Sequence, residues 1–335
     1  MREGIQSLYS LKAVCAFFII CIHCSFIGKD AFLPIIKIAV PCFYIISGFF
    51  LVDNNGSIQL EKVIKQIKKL LLLILTANCV YLIVTFITEG LNVSHLLQIK
   101  SIIRLCFYGD VIAVHLWFLN AYVEGLLIVL LLIKIKGQFS VSLKHSLFIG
   151  VLLLTAPLFG RYSFILCNQF DEIWFRNCFN IAIPFMFIGA IIRKHQNDIL
   201  LQYKRLYILI TIFVFLFLSY VEYGFQFFNS HLNIVGDLNF FTIPLSIFVF
   251  LLCLSYQDLS LKKWWCGNIS IAIGRYHSAN IYLYHFIFID ILTISSSWME
   301  SKSPLIPITI LLLSLLLSFM INKNREIFSS NRYFS

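Results

Sequence analysis

Apolar residues fall in blocks of roughly 20 along this chain, separated by short polar or charged breaks. A helix needs about that many residues to cross some 30 Å of hydrocarbon. The pattern predicts ten spanning helices, near 10–28, 35–52, 70–88, 111–133, 145–160, 178–192, 205–223, 239–256, 269–292 and 304–322. The fifth and sixth are short, which suits a tilted, broken or partly embedded segment. The longest break, about 89–110, holds the weakly amphipathic stretch VSHLLQIKSIIRLCFYG and is expected along the membrane interface. The first block lacks a cleavage-site pattern and many spans follow it, so it reads as a retained helix. With no soluble segment and no internal repeat, residues 1–335 read as a single transmembrane domain.

Composition agrees. Of 335 residues, 60% are hydrophobic and 13% charged, with a mean hydropathy of +0.88. A soluble domain carries about 25% charged residues. The fold class expected is therefore an all-α polytopic membrane bundle, with the bilayer as part of its solvent; the expected location is the cytoplasmic (inner) membrane.

The net charge of +10 sets topology rather than marking a nucleic-acid partner. With a cytoplasmic N-terminus, the inside breaks hold Arg2 and Lys12, Lys62 to Lys69, Lys134, Lys136 and Lys144, Arg193 to Arg205, Lys262 and Lys263, then Lys323, Arg325 and Arg332. Most of the basic residues thus fall on one side, as the positive-inside rule expects. Ten spans also return the C-terminus to the cytoplasm.

Any chemistry has to come from residues in or beside the spans. The segment CIHCSFIGKD (21–30) places two cysteines around a histidine inside the first block. At about 100° per residue, Cys21 and Cys24 lie roughly 60° apart, and His23 points about 100° from one and 160° from the other. One ion cannot readily take all three from a continuous helix, and no metal site is expected. The ten cysteines lie mostly in apolar segments, where a thiol behaves as a small hydrophobe. Lys12 is the better partner for His23. Eleven residues turn a helix by about 1,100°, close to three full turns, and advance it about 16 Å. A cation at one end of a helix face and an imidazole at the other suit a long ligand with an anionic head. The plainer reading is a lysine snorkelling to the interface and a histidine bonded to a neighbouring helix.

Here the sequence resembles the integral-membrane acyltransferase-3 family, the polysaccharide O-acyltransferases. Lys12-x10-His23 is similar to the family's Arg-x10-His. PCFYIISGFFL (41–51), HLWFL (115–119), FNIAIPFMFIGAIIRK (179–194) and IGRYHSANIYLYHFIF (273–288) resemble further family segments, in the family's order. Two positions depart from the pattern: Lys12 replaces an arginine, and the family's R-x-x-R appears as Lys65-Gln66-Ile67-Lys68, followed by Lys69. Lysine keeps the charge but lacks the bidentate fork.

The resemblance implies an enzyme moving an acetyl or succinyl group from cytoplasmic acyl-CoA to a hydroxyl of a cell-surface polysaccharide or its lipid-linked precursor. It makes Lys12, Lys65, Lys68 and Lys69 candidates for holding the donor's phosphates, with topology-setting charge as the alternative for the three loop lysines. His23 is the candidate general base, an imidazole's ordinary pKa of about 6.5 suiting proton transfer near neutrality. An acyl-imidazole route stays open. His285 in the ninth span, beside Tyr282 and Tyr284, is a candidate for proton transfer or substrate orientation. Tyr282, His115, Trp117 and Glu124 are candidates for contact with the acceptor glycan. Interfacial anchoring is the alternative for the aromatics, and interhelical pairing for the acid. The rival function is a non-enzymatic transporter or flippase for a glycan, lipid or amino-acid precursor, with intramembrane Lys, His and Glu as its path.

Overall fold

A computed structural model describes residues 5–89, 98–137, 145–155, 157, 158, 162, 176–229, 238–257, 265–295 and 302–330. Arg2, Lys144, Lys262, Lys263 and Arg332, the first residues of the amphipathic stretch and much of the end of the expected fifth span lie outside the described residues. Among those described, the chain is helical, with no strand beyond an isolated bridge between Val52 and Ile58.

Among the described residues, six helical segments are long and apolar enough to cross a membrane: Gln6–His23, Lys29–Leu51, Leu60–Ile87, Val114–Lys136, Arg205–Phe228 and Ile306–Lys323. The count is seven if Cys178–Lys194 and Gln196–Gln202, bent by 78°, form one span. Apolar stretches of the other expected spans fold as shorter or interrupted helices. Thr242–Ser255 has 14 residues, about 21 Å at 1.5 Å per residue. The ninth expected span is a continuous helix from 265 to 295 with a π-helical turn inside it.

The chain forms two compact units. One comprises Met1–Ala39 with Tyr256–Ser335, the other Val40–Ser255. The first unit contains α1 (Gln6–His23), α2 (Lys29–Ile36), α12 (Trp265–Ala272), the π-turn Ile273–His277, α13 (Ser278–Ser295) and α14 (Ile306–Ser330). Helix α1 packs on every other element of this unit. Its closest approach is at Gly274, where an added Cβ would strike the carbonyl of Tyr9 and meet the Ala13 nitrogen at 3.2 Å. Glycine is what lets the two backbones touch. Ser10 and Ser270 share a hydrogen bond of 2.9 Å beside this contact.

On its other side, α13 is tied to α14 by polar groups. His277 Nδ1 lies 2.8 Å from Ser318 Oγ, and Asn280 Nδ2 donates to the same oxygen at 3.0 Å. Asn322 donates to the Tyr276 carbonyl at 3.1 Å. Apolar contacts gain little between helices already in lipid, so such bonds fix which faces meet.

The second unit contains α3 (Ala39–Leu51, its first residue in the other unit), α4 (Leu60–Glu89), α5 (Ile99–Phe107), α6 (Trp117–Lys136), α7 (Ser146–Thr155), α8 (Ile183–Lys194), α9 (Gln196–Gln202), α10 (Arg205–Asn229) and α11 (Thr242–Ser255). Helix α6 is its core: 67% of the Val114–Lys136 window is buried, against 17% for the windows in α4 and α10, whose exposed apolar sides suit lipid. Helices α3 and α8 cross at two glycines. An added Cβ at Gly48 would meet the Met186 carbonyl, and one at Gly189 would meet the Ile45 carbonyl.

Glu222, a buried acid of α10 that the sequence pattern does not single out, fastens the start of α11. Its carboxylate accepts from the backbone N–H groups of Phe240 and Phe241 and from the Tyr162 hydroxyl, each at 2.9 Å. The two backbone N–H groups are donors that a helix start leaves without an intrahelical partner. Replacing Glu222 with alanine is expected to strand them and cost about 2–4 kcal/mol. The expected readout is a lower melting temperature of the detergent-solubilised protein, with Glu222→Gln falling between; an unshifted melting curve for Glu222→Ala would contradict this account.

Candidate active site

His23 is the last residue of α1, and the chain leaves the helix there because Cys24 is extended. Lys29 folds back through Gly28, whose φ of 82° is left-handed, and its ammonium donates to the Ile22 carbonyl at 2.7 Å. A cation on a helix's terminal carbonyls satisfies an orphaned acceptor and opposes the helix dipole. Thus α1 ends at a defined point, and the imidazole is presented from that end, half-exposed.

The structure brings His285 to it. The two imidazole centroids are 5.4 Å apart, and Phe286 flanks both, at 4.7 Å from His23 and 5.1 Å from His285. Tyr282 stands 6.3 Å from His285. His285 is fully buried, and its Nδ1 lies 2.8 Å from the Tyr282 carbonyl and 3.2 Å from that of Ile281. A carbonyl only accepts, so the Nδ1 facing these two carbonyls carries a proton. The buried imidazole is held by its own helix's carbonyls, while His23 is the more exposed ring of the pair.

Lys12 lies three turns back along α1, half-buried, with its ammonium 5.9 Å from the centre of the Tyr9 ring. The same ring faces a second cation. The guanidinium of Arg275, in the π-turn, is 5.7 Å from the Tyr9 ring and 5.2 Å from that of Tyr276. Arg275 is absent from the sequence-derived candidates although it lies inside the segment 273–288. The signal available was its spacing: ten residues precede His285, nearly the three-turn interval that links Lys12 to His23.

These contacts give the first unit a direction. Tyr9 meets Gly274 and Arg275 at one end, and His23 meets His285 at the other, so α1 and the 265–295 helix run parallel. Each carries a cation about 15–16 Å before its histidine.

The other candidates belong to the second unit. Lys65, Lys68 and Lys69 are exposed on the first turns of α4. His115 is buried at the head of α6 with its ring 5.2 Å from Tyr81, and the buried Trp117 has the Arg176 guanidinium 5.7 Å above it. Glu124, half-buried, bonds the thiol and backbone N–H of Cys178, the first residue of a π-turn (Cys178–Ala182) whose other leading N–H groups bond the Asn177 side chain. Each of these three side chains thus has a packing or bonding partner within its own unit. Cys21 and Cys24 are buried in the first unit, and among the described residues no three His, Cys, Asp or Glu side chains are grouped to hold a metal ion.

No curated protein and no solved structure matches the chain. A family model described as an acyltransferase domain matches residues 5–323, a range that takes in both units. Spanning nearly the whole sequence, that match means that this multi-pass membrane protein belongs to the acyltransferase-3 family.

Proposed function

We propose that the protein transfers an acetyl or succinyl group from cytoplasmic acyl-CoA to a hydroxyl of a cell-surface polysaccharide or its lipid-linked precursor. The observation that carries this reading is the polarity of the first unit: cations at one end, two contacting imidazoles at the other, about 15 Å apart along parallel helices. In the proposed topology both termini are cytoplasmic and ten segments cross the inner membrane, the shorter helices making up the number as parts of one transmembrane domain. Lys12 then lies at the cytoplasmic end and His23 toward the outer end. The charged head of the donor stays near Lys12 while its thioester reaches the imidazoles, so the acyl group crosses without the rest of the coenzyme. Lys65, Lys68 and Lys69 supply positive charge on the cytoplasmic side, which draws the polyanionic donor to the membrane surface.

At the outer end His23 takes the proton of the acceptor hydroxyl as the oxygen attacks the thioester carbonyl. The tetrahedral adduct collapses with cleavage of the C–S bond, and the imidazolium returns the proton to the departing thiolate. His285, held by its own helix's carbonyls, packs against His23 and keeps its ring in place. Tyr282, whose ring lies 6.3 Å from that of His285, is the acceptor contact assigned to this unit.

The test is transfer by the purified full chain in lipid nanodiscs, given radiolabelled acetyl-CoA and de-acetylated glycan. Label entering the glycan is the expected result. Uptake of glycan or precursor into proteoliposomes without any modification would instead establish the transporter.

A further inference from the structure

We infer that Arg275 is a specificity-determining residue for the acyl donor, supplying the bidentate phosphate contact that Lys12 cannot make; the inference rests on the donor reading above. Three observations lead to it. Two cations, Lys12 and Arg275, approach one aromatic ring, that of Tyr9. Like charges gathered at one place repel, and an anion between them turns that repulsion into attraction. Secondly, Arg275 is exposed, its contacts among the described residues are the rings of Tyr9 and Tyr276, and no described carboxylate pairs with it. Its guanidinium, on an exposed side chain steadied by two aromatic faces, keeps N–H donors for a ligand.

The third observation is local geometry. Arg275 sits within the π-turn Ile273–His277 of an otherwise α-helical run. Such a turn holds one extra residue, which shifts the side chains on one side of it relative to those on the other. Gly274 presses that turn against the Tyr9 carbonyl. Arg275 is thereby brought to the ring one turn before Lys12, while His285, ten residues later, still meets His23. The two parallel helices thus repeat one arrangement, a cation three turns before an imidazole. Lysine binds phosphate as a point charge, and only arginine offers two parallel N–H bonds to phosphate oxygens. The proposed ligand is a diphosphate-bearing thioester, with the guanidinium setting its orientation and the ammonium adding charge.

The experiment measures binding of coenzyme A and transfer from two donors, acetyl-CoA and S-acetylpantetheine, which lacks the phosphates. For Arg275→Ala, coenzyme A affinity is expected to fall about 10- to 100-fold. The KM for acetyl-CoA should rise by a similar factor, and transfer from S-acetylpantetheine should stay at the wild-type rate. Arg275→Lys should recover only part of the loss. If Arg275→Ala lowers transfer from both donors equally, or changes neither affinity nor KM, the inference is overturned. Coenzyme A binding that depends on Arg275 in a protein that transfers nothing would sink the acyltransfer reading and leave this site standing. A wild-type chain that neither binds coenzyme A nor transfers overturns both.

Discussion

Alanine in place of His23 is expected to reduce acyl transfer by about 10²- to 10⁴-fold, the usual contribution of a positioned general base. The variant should still reach the membrane and elute from size exclusion like the wild type. His23 is half-exposed at the end of α1, and its side chain is no part of the Tyr9–Gly274 contact that joins the helices. The loss should fall on turnover, with the KM for acetyl-CoA little changed, because the imidazole lies about 16 Å from Lys12, the cation proposed to hold the donor. His285→Ala makes the contrast. His285 is fully buried, and its removal opens a hole beside Phe286 and His23, so both turnover and thermal stability should drop. Transfer by His23→Ala within a few-fold of wild type would remove the imidazole from the mechanism.

The second large effect is structural. Gly274→Val is expected to disrupt the first unit, at a cost of at least about 3 kcal/mol, because the new Cβ collides with backbone that has no room to move. The obstacle is the Tyr9 carbonyl inside α1, and moving it displaces the ring that both cations face. Loss of a monodisperse detergent-solubilised species, or a melting temperature many degrees lower, is the expected observation. Gly224→Ala in α10 is the control: nothing lies within 4 Å of its added Cβ, so better helix propensity should leave the protein as stable or slightly more so. Equal behaviour of the two variants would contradict the close packing at Gly274.

Apolar blocks and the face shared by Lys12 and His23 were legible in the sequence because periodicity and helical rise are properties of a single chain segment. The pairing of His23 with His285 was not. It depends on two segments over 250 residues apart in sequence running parallel, which no local pattern records. Spans were readable as apolar stretches but not as intact rods. The break at Lys194–Gln196 and the shortness of Thr242–Ser255 come from tertiary packing and from capping by groups such as Glu222. Glu124 and Trp117 stood out because charges and indoles in apolar runs are conspicuous. Their partners, the Cys178 N–H and the Arg176 guanidinium, come from a segment about 50 residues later in the chain. Arg275 lies among the tyrosines and histidines of 273–288, and its approach to Tyr9 depends on α1 packing against the π-turn, which no local pattern records.

The twin glycine crossing of α3 and α8 restricts how the second unit can move. Residues 45 and 48 oppose 189 and 186, so the helices are antiparallel and touch backbone to backbone at two points. Sliding either helix by one turn would drive a side chain into a carbonyl at both. Relative motion there reduces to a small rotation about the crossing, so the pair acts as a stiff joint within the second unit.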